Sequence, residues 1–442
     1  MKQLSNTVQK RFSDYLDLSM RKDLLIPPHF FDINLNKYSL DDVKKMWHDG
    51  AVASSKERHD ALYIHIPFCP SRCSFCMYDS QIVHPEYIKP YIFRIIKEYN
   101  YWKDEIYEPL DSLYIGGGTP SIMSTNDIKS LFQSLNNLSF VPNSSRTFEL
   151  SPETASEEKI AELGQTIINR ISLGVQSLDE DVLRKAKRNN LSKSHIKNLI
   201  SVARNANFDD INIDLMAGLD GQDENNIVTT INEIINMDPL SVTLYTFRDV
   251  KKKSNKNVSE RIADVDKQLN CAFKVFQDAG WLHVAGNLDT EYNIFYSKEK
   301  EKELIRHQTS IDVCSNLNLF GLGSHAIGFN PAIAYECDSF SKHFDEKAKR
   351  YIVYQHNPKQ QMQLAVCNML YCDDMTIDAS YFFDCFNCKF EDVFKDELGD
   401  LYSINRVLLV PSGFKFISNS KYESAAIQKF FWDKEFLRQY SD

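Results

Sequence analysis

Cys69, Cys73 and Cys76 fall within eight residues of the stretch YIHIPFCPSRCSFCMYDS, spaced C-x₃-C-x₂-C, with Phe75 just before the last sulfur. Three thiolates can hold three irons of a [4Fe–4S] cluster and leave the fourth iron open. An open iron is a place for a small molecule to bind, so the spacing points to cluster-driven radical chemistry rather than plain electron transfer. A structural zinc site asks for four protein ligands, usually as two separated C-x-x-C pairs. No second pair lies close to these three cysteines. Cys385 and Cys388 form a distant C-x-x-C in FFDCFNCKFEDVF, which reads as helical packing rather than a second metal site.

Loops of this kind need elements to position them. β-rich runs recur at 61–66, 112–117, 147–151, 169–175, 210–216 and 240–246. Between them lie segments with apolar residues at i, i+3 and i+4, several opened by a capping residue such as Ser124 or Ser156. Strand and helix in alternation predict a parallel sheet with right-handed crossovers. The fold class is therefore α/β, as an open, partial barrel of six units, with a doubly wound sheet as the alternative. The charged segment 249–267 reads as a solvated loop leading into a helix.

In such barrels the active site collects at the carboxyl ends of the strands. The cysteine loop follows the first run and Gly116–Gly117–Gly118–Thr119–Pro120 follows the second. Glu149 ends the third, Gln176 the fourth, Asp214 the fifth and Thr246 the sixth. Glycines at a strand end let backbone N–H and C=O groups approach a ligand. Glu149 and Asp214 can accept hydrogen bonds from an ammonium or ribose hydroxyls, Gln176 can bond a ribose hydroxyl, and Arg188 can pair with a carboxylate. Each also has a plainer reading: a tight turn, helix caps, a surface arginine. His65 reads as a satisfied core histidine. Met77 and Tyr78 are expected to face the open iron or the substrate.

The 442 residues exceed one simple core, and 43% hydrophobic and 12% aromatic content suffice for a globular fold. A net charge of −10 argues against nucleic acid as the main partner. No apolar run reaches membrane-spanning length, and the first residues lack an apolar signal core, so a cytoplasmic protein without membrane attachment is expected.

The motifs YIHIPFC…C…C, GGGTP, FELSPE, RISLGVQS, NIDLMAGL and FGLGSHAIG, in this order, resemble the radical S-adenosylmethionine enzymes. Within them, they resemble the oxygen-independent coproporphyrinogen III dehydrogenase-like (HemN-like) family. The resemblance covers roughly residues 60–330, and more weakly AVCNMLYCDDMTIDASYFF…VLLVPSGFKFI. It implies four regions: an N-terminal extension over 1–58, expected to cap the substrate, and a radical S-adenosylmethionine partial barrel over 59–250. A barrel completion facing substrate would cover 251–360, and a small α+β, winged-helix-like domain 361–442.

The resemblance further implies that Cys69, Cys73 and Cys76 hold the cluster. S-adenosylmethionine, as two molecules, would be met by Tyr63, Phe75, Gly117, Gly118, Thr119, Glu149, Gln176, Arg188 and Asp214, and more loosely by Thr246 and Ile327. Tyr78 joins the cysteines as an expected catalytic residue. Reductive cleavage would give methionine and a 5′-deoxyadenosyl radical. A monomer is expected, with a flavodoxin or ferredoxin as reductant and a small molecule as substrate. Where the porphyrinogen enzymes resemble C-x-C past the last cluster cysteine, this chain has Cys76–Met77–Tyr78. The leading expectation is methyl or methylene transfer to an sp² carbon of a heteroaromatic or tetrapyrrole. The alternatives are coproporphyrinogen decarboxylation, reductive haem opening, and a non-catalytic haem carrier.

Overall fold

The computed structural model describes residues 2–22, 36–51, 59–76, 80–82, 84–188, 192–206, 208–247, 258–285, 292–297, 317–337, 340–372, 375–418, 421–432 and 437. Six strands run parallel and in chain order: β1 His59–Ile66, β2 Leu110–Gly117, β3 Phe140–Leu150, β4 Arg170–Gln176, β5 Asp210–Ala217 and β6 Ser241–Thr246. Between them pass the helices α1 Ile88–Trp102, α2 Thr125–Leu135, α3 Glu157–Leu163, α4 Glu180–Lys185, α5 Lys193–Asn205 and α6 Glu224–Ile235. The expected caps form. Ser124 and Asp127 close a capping box on α2, and Ser156 accepts the Lys159 N–H at the start of α3.

The six units are as expected, but the sheet does not stop there. A seventh parallel strand, β7 Leu317–Leu322, inserts beside β1, although it comes late in the chain. Antiparallel strands Ile327–Phe329, Ile333–Cys337, Tyr351–Gln355 and Lys37–Tyr38 continue outward from β7. Tyr292–Tyr296 and Leu282–Ala285 extend the other edge from β6. Among the described residues the sheet thus has thirteen strands, with two edges that do not pair with each other.

Side-chain alternation explains how the sheet is covered. Leu113, Ile115, Phe148, Leu150, Ile171, Leu173, Ile211, Ile213, Val242 and Leu244 face the helices in one buried core. The residues between them are polar: Tyr114, Thr147, Glu149, Arg170, Ser172, Asp210, Asn212, Asp214, Ser241 and Thr243. These satisfy one another across the inner face. Arg170 Nε donates to Asp210 at 2.8 Å, Ser241 Oγ donates to Asp210 at 2.7 Å, and Thr243 Oγ1 donates to Asn212 at 2.9 Å. Tyr114 on β2 and Tyr245 on β6 are near enough to interact electrostatically. Strands four places apart in a flat sheet stand about 19 Å apart. The sheet is therefore curled, and its polar face lines the inside.

The C-terminal part carries a second core around Phe382, Phe390, Phe394, Leu401, Phe416 and Trp432. Its three-stranded antiparallel sheet has the order Thr376–Asp378, Gly413–Phe416, Val407–Val410. The N-terminal helix Lys2–Lys22 joins this core through Val8 and Phe12. Lys429 Nζ donates to Ser19 at 2.8 Å. Helix Leu40–Ala51 instead packs Trp47 among Trp102, Phe320 and Tyr335 in the barrel's core. Cys385 and Cys388 lie at the end of the helix Ala379–Phe386 and beyond it, among aromatic residues, with the Cys388 thiol 3.7 Å from the Met362 sulfur.

Candidate active site

The cysteine loop leaves β1 and is tied down on three sides. Its backbone pairs with Gln81, where Cys69 N–H donates to Gln81 O at 3.0 Å and Gln81 N–H donates to Pro67 O at 2.6 Å. The carboxyl end of α4 holds the loop's middle: Ser74 N–H donates to Ala186 O at 2.9 Å. Lys187, in the left-handed region at φ 54°, ends that helix. Arg188 is thereby aimed back at the loop. Its Nη1 donates to Cys73 Sγ at 3.5 Å, and its Nη2 donates to the Gly174 carbonyl. Arg188 was expected to meet a ligand carboxylate; here it touches a cysteine sulfur.

The glycine turn after β2 packs on the same loop. Gly118 N–H donates to Ile66 O at 2.8 Å, and a Cβ there would stand 2.7 Å from the Phe68 carbonyl oxygen. Gly117 sits at φ 109°, and a Cβ on it would meet the His65 ring at 2.7 Å. Only glycine lets β2 pass this close to β1. The turn carries Thr119 over Cys69, to whose sulfur its hydroxyl donates at 3.4 Å. Thr119 and Arg188 thus each place a hydrogen-bond donor on a sulfur of the loop.

Two carboxylates stand beyond the cysteines. Glu149 accepts from Tyr114 Oη at 2.6 Å and from Gly117 N–H at 3.2 Å. Burial pushes its carboxyl up to about 7, and the charge of Asp214 adds to this against the two hydrogen bonds. Asp214 accepts from Ser172 Oγ at 2.8 Å and Asn212 Nδ2 at 2.7 Å, and burial raises its carboxyl too. Two such groups, on strands two places apart with β4 between them, favour a cationic guest. Gln176 sits on an irregularity of the β4–β5 ladder at φ 70°, and its buried Oε1 has no hydrogen-bond partner among the described residues. A donor from a bound molecule would satisfy it.

The remaining expected residues fall into place unevenly. Tyr63 Oη is 2.8 Å from His65 Nδ1, and its ring lies 6.2 Å from that of Tyr114. His65 is 4% exposed, the core histidine expected. Thr246 is buried at the end of β6, paired with Ala217. Ile327 begins the strand antiparallel to β7, on the β1 side of the rim. Phe75 packs into a small apolar cluster with Val182, Met216, Leu219 and Phe247. Met77 and Tyr78 lie outside the described residues.

Sequence reasoning missed Tyr114, Ser172 and Asn212, which orient the two carboxylates. The signal was partial: Asn212 lies two residues before Asp214 on the same strand face, while Tyr114 and Ser172 are inward-facing residues of the strands that end at Gly117 and Gln176. Among the described residues no three Cys, His, Asp or Glu side chains gather as a single metal ion requires. A single zinc ion needs its ligands within about 2.3 Å of one point, whereas a cluster bonds each thiolate to a different iron. The donor set, the bonds to sulfur and the orphaned Gln176 oxygen fit a cluster with an organic ligand beside it.

Residues 63–234 match the model of the Radical SAM superfamily. The heme chaperone HemW of Bacillus subtilis is 30% identical over 188 residues, 42% of this chain and 49% of that protein. The oxygen-independent coproporphyrinogen III oxidase of Pseudomonas aeruginosa is 27% identical over 199 residues, 44% of this chain and 43% of that one. The chain thus spans about half the length of the curated relatives it matches. The structure of coproporphyrinogen III oxidase (HemN) from Escherichia coli shares the fold with a TM-score of 0.71 at 20% identity, covering 92% of this chain and 96% of that one. No described helix is long and apolar enough to cross a membrane. From the cysteine loop, the curled parallel sheet and these matches, residues 63–234 form a Radical SAM domain, in a chain similar to HemW and to oxygen-independent coproporphyrinogen III oxidase.

Proposed function

We propose that this protein holds a [4Fe–4S] cluster on Cys69, Cys73 and Cys76, cleaves S-adenosylmethionine reductively, and uses the resulting radical on a tetrapyrrole. The observation that carries the reading is the convergence on one rim of sulfurs that accept bonds from Thr119 and Arg188, two enclosed carboxylates, and the unpartnered oxygen of Gln176. When bound, the cluster supplies an open iron and one electron for the sulfonium. The chain's own residues do the rest. Glu149, oriented by Tyr114, receives the ammonium of the amino-acid end or a ribose hydroxyl. Gln176 and Asp214 bond ribose hydroxyls. Gly117 and Gly118 bring backbone polar groups up to the ligand, and Thr246 and Ile327 border a second cofactor molecule. The inner face positions the radical against a C–H bond and excludes water.

A tetrapyrrole is favoured by the similar relatives, whose names concern haem and coproporphyrinogen. The expectation of methyl or methylene transfer finds no support among them and gives way to tetrapyrrole chemistry. The test is anaerobic reconstitution, then reductant and S-adenosylmethionine with coproporphyrinogen III or haem. About four irons per chain, formation of 5′-deoxyadenosine and a changed tetrapyrrole are expected. Cys73→Ala should abolish both the brown absorbance and cleavage; cleavage retained by that variant overturns the assignment. The haem-chaperone relatives support a second reading, haem carriage without turnover. Tight haem binding with no 5′-deoxyadenosine would support it over the first.

A further inference from the structure

The outer surface beside the cysteine loop holds a groove of about 550 Å³ that the active site does not use. One stripe of α1 and its approach form one wall: Glu86, Lys89, Phe93 and Lys97, with Arg94 at the floor. The opposite wall is Lys342, His343 and Phe344, from a segment some 250 residues later in the chain. Lys89 and Lys97 are exposed, Phe93 is 52% exposed, and the Lys342 ammonium lies 4.7 Å over the Tyr87 ring. Arg94 is already committed, to Glu98 at 3.3 Å. That leaves three lysines and His343 against one exposed carboxylate, Glu86, on a chain whose net charge is −10.

The groove's floor leads to the cysteine loop. The Arg94 guanidinium stands 5.5 Å from the Tyr91 ring, and that ring lies 5.0 Å from Phe68, the residue before Cys69. Phe340 stacks on Tyr91 at 5.8 Å and closes the triangle with Phe68 at 5.7 Å. Two ring contacts thus separate a basic, aromatic-walled groove from a cluster cysteine.

We propose that this groove docks an acidic, low-potential electron-transfer protein, with Lys89, Lys97 and Lys342 as its charged contacts and Phe93 as its apolar one. The inference rests on the cluster reading above. The docked partner gives up one electron, which the cysteine-held cluster takes up; in that transfer no bond forms or breaks and no proton moves. Complementary charge on opposed surfaces raises the association rate and makes it salt-dependent.

The test uses the full chain and flavodoxin as the acidic probe. Oxidised flavodoxin is titrated into wild type and into the triple variant Lys89→Glu, Lys97→Glu, Lys342→Glu. 5′-Deoxyadenosine formation is then driven either by reduced flavodoxin or by dithionite. Reversal should weaken flavodoxin binding and slow the flavodoxin-driven rate by about tenfold or more, and should leave the dithionite-driven rate unchanged. Wild-type binding should weaken as salt rises. Unchanged binding in the variant, no binding to wild type, or an equal fall with dithionite would overturn the docking site. If the reversed variant does not fold, Lys→Gln at the same three positions gives the same comparison in smaller measure. Failure to assemble a cluster would sink the functional reading instead, while the binding titration still tests this one.

Discussion

Replacing Glu149 by Gln should make the ligand-free protein more stable at alkaline pH and worse at holding S-adenosylmethionine. The carboxyl rises from its ordinary 4.5 to about 7 because it is enclosed beside Asp214. Between those values the folded protein keeps a proton that the unfolded chain has released. Wild-type stability therefore falls as pH climbs from about 4.5 to about 7, then levels. At about 1.4 kcal/mol per pH unit, the displacement corresponds to about 3 kcal/mol above pH 7. The amide still accepts from Tyr114, but it turns an N–H₂ toward Gly117 N–H, a loss of about 1 kcal/mol. The variant should then lead wild type by about 2 kcal/mol at pH 8.5, and trail it slightly at pH 4. Urea unfolding of the metal-free protein across this range measures the difference. S-adenosylmethionine binding, by equilibrium dialysis of the reconstituted protein, should weaken about tenfold with the loss of a charge-assisted bond. A stability difference that stays flat with pH would refute the enclosed-carboxylate argument; unchanged binding would refute the ligand role.

Gly117→Ala forces a side chain into φ 109° and 2.7 Å from the His65 ring; a loss of about 2 kcal/mol or more in urea unfolding is expected, with less iron taken up on reconstitution. Arg170→Met leaves the Asp210 carboxylate buried without the guanidinium 2.8 Å away; stability should fall by about 3–5 kcal/mol, read by the same unfolding measurement. Arg188→Lys cannot reach Cys73 Sγ and the Gly174 carbonyl together. A bond to a charged sulfur is worth about 1.5–3 kcal/mol, so iron loss to a chelator should run roughly tenfold faster.

Much of this protein was legible in the chain itself. The C-x₃-C-x₂-C spacing, the strand–helix alternation, the caps at Ser124 and Ser156 and the polar residues ending each strand are local patterns, set by neighbours a few positions apart. They located the rim and placed Glu149, Gln176 and Asp214 on it. Folding in three dimensions decided what local patterns cannot express. Strand β7 slid in beside β1 because parallel pairing depends on long crossovers and not on adjacency. Arg188 reached a cysteine 115 residues away because a left-handed Lys187 turned the chain back there. Phe75 went to an apolar cluster because α4 and the end of β5 present one beside it. The groove's two walls meet only because the later segment packs on α1, Phe340 against Tyr91 and Phe344 beside Tyr101. Spacing along the chain fixes which groups are available; which of them touch is settled by register, crossover and curl.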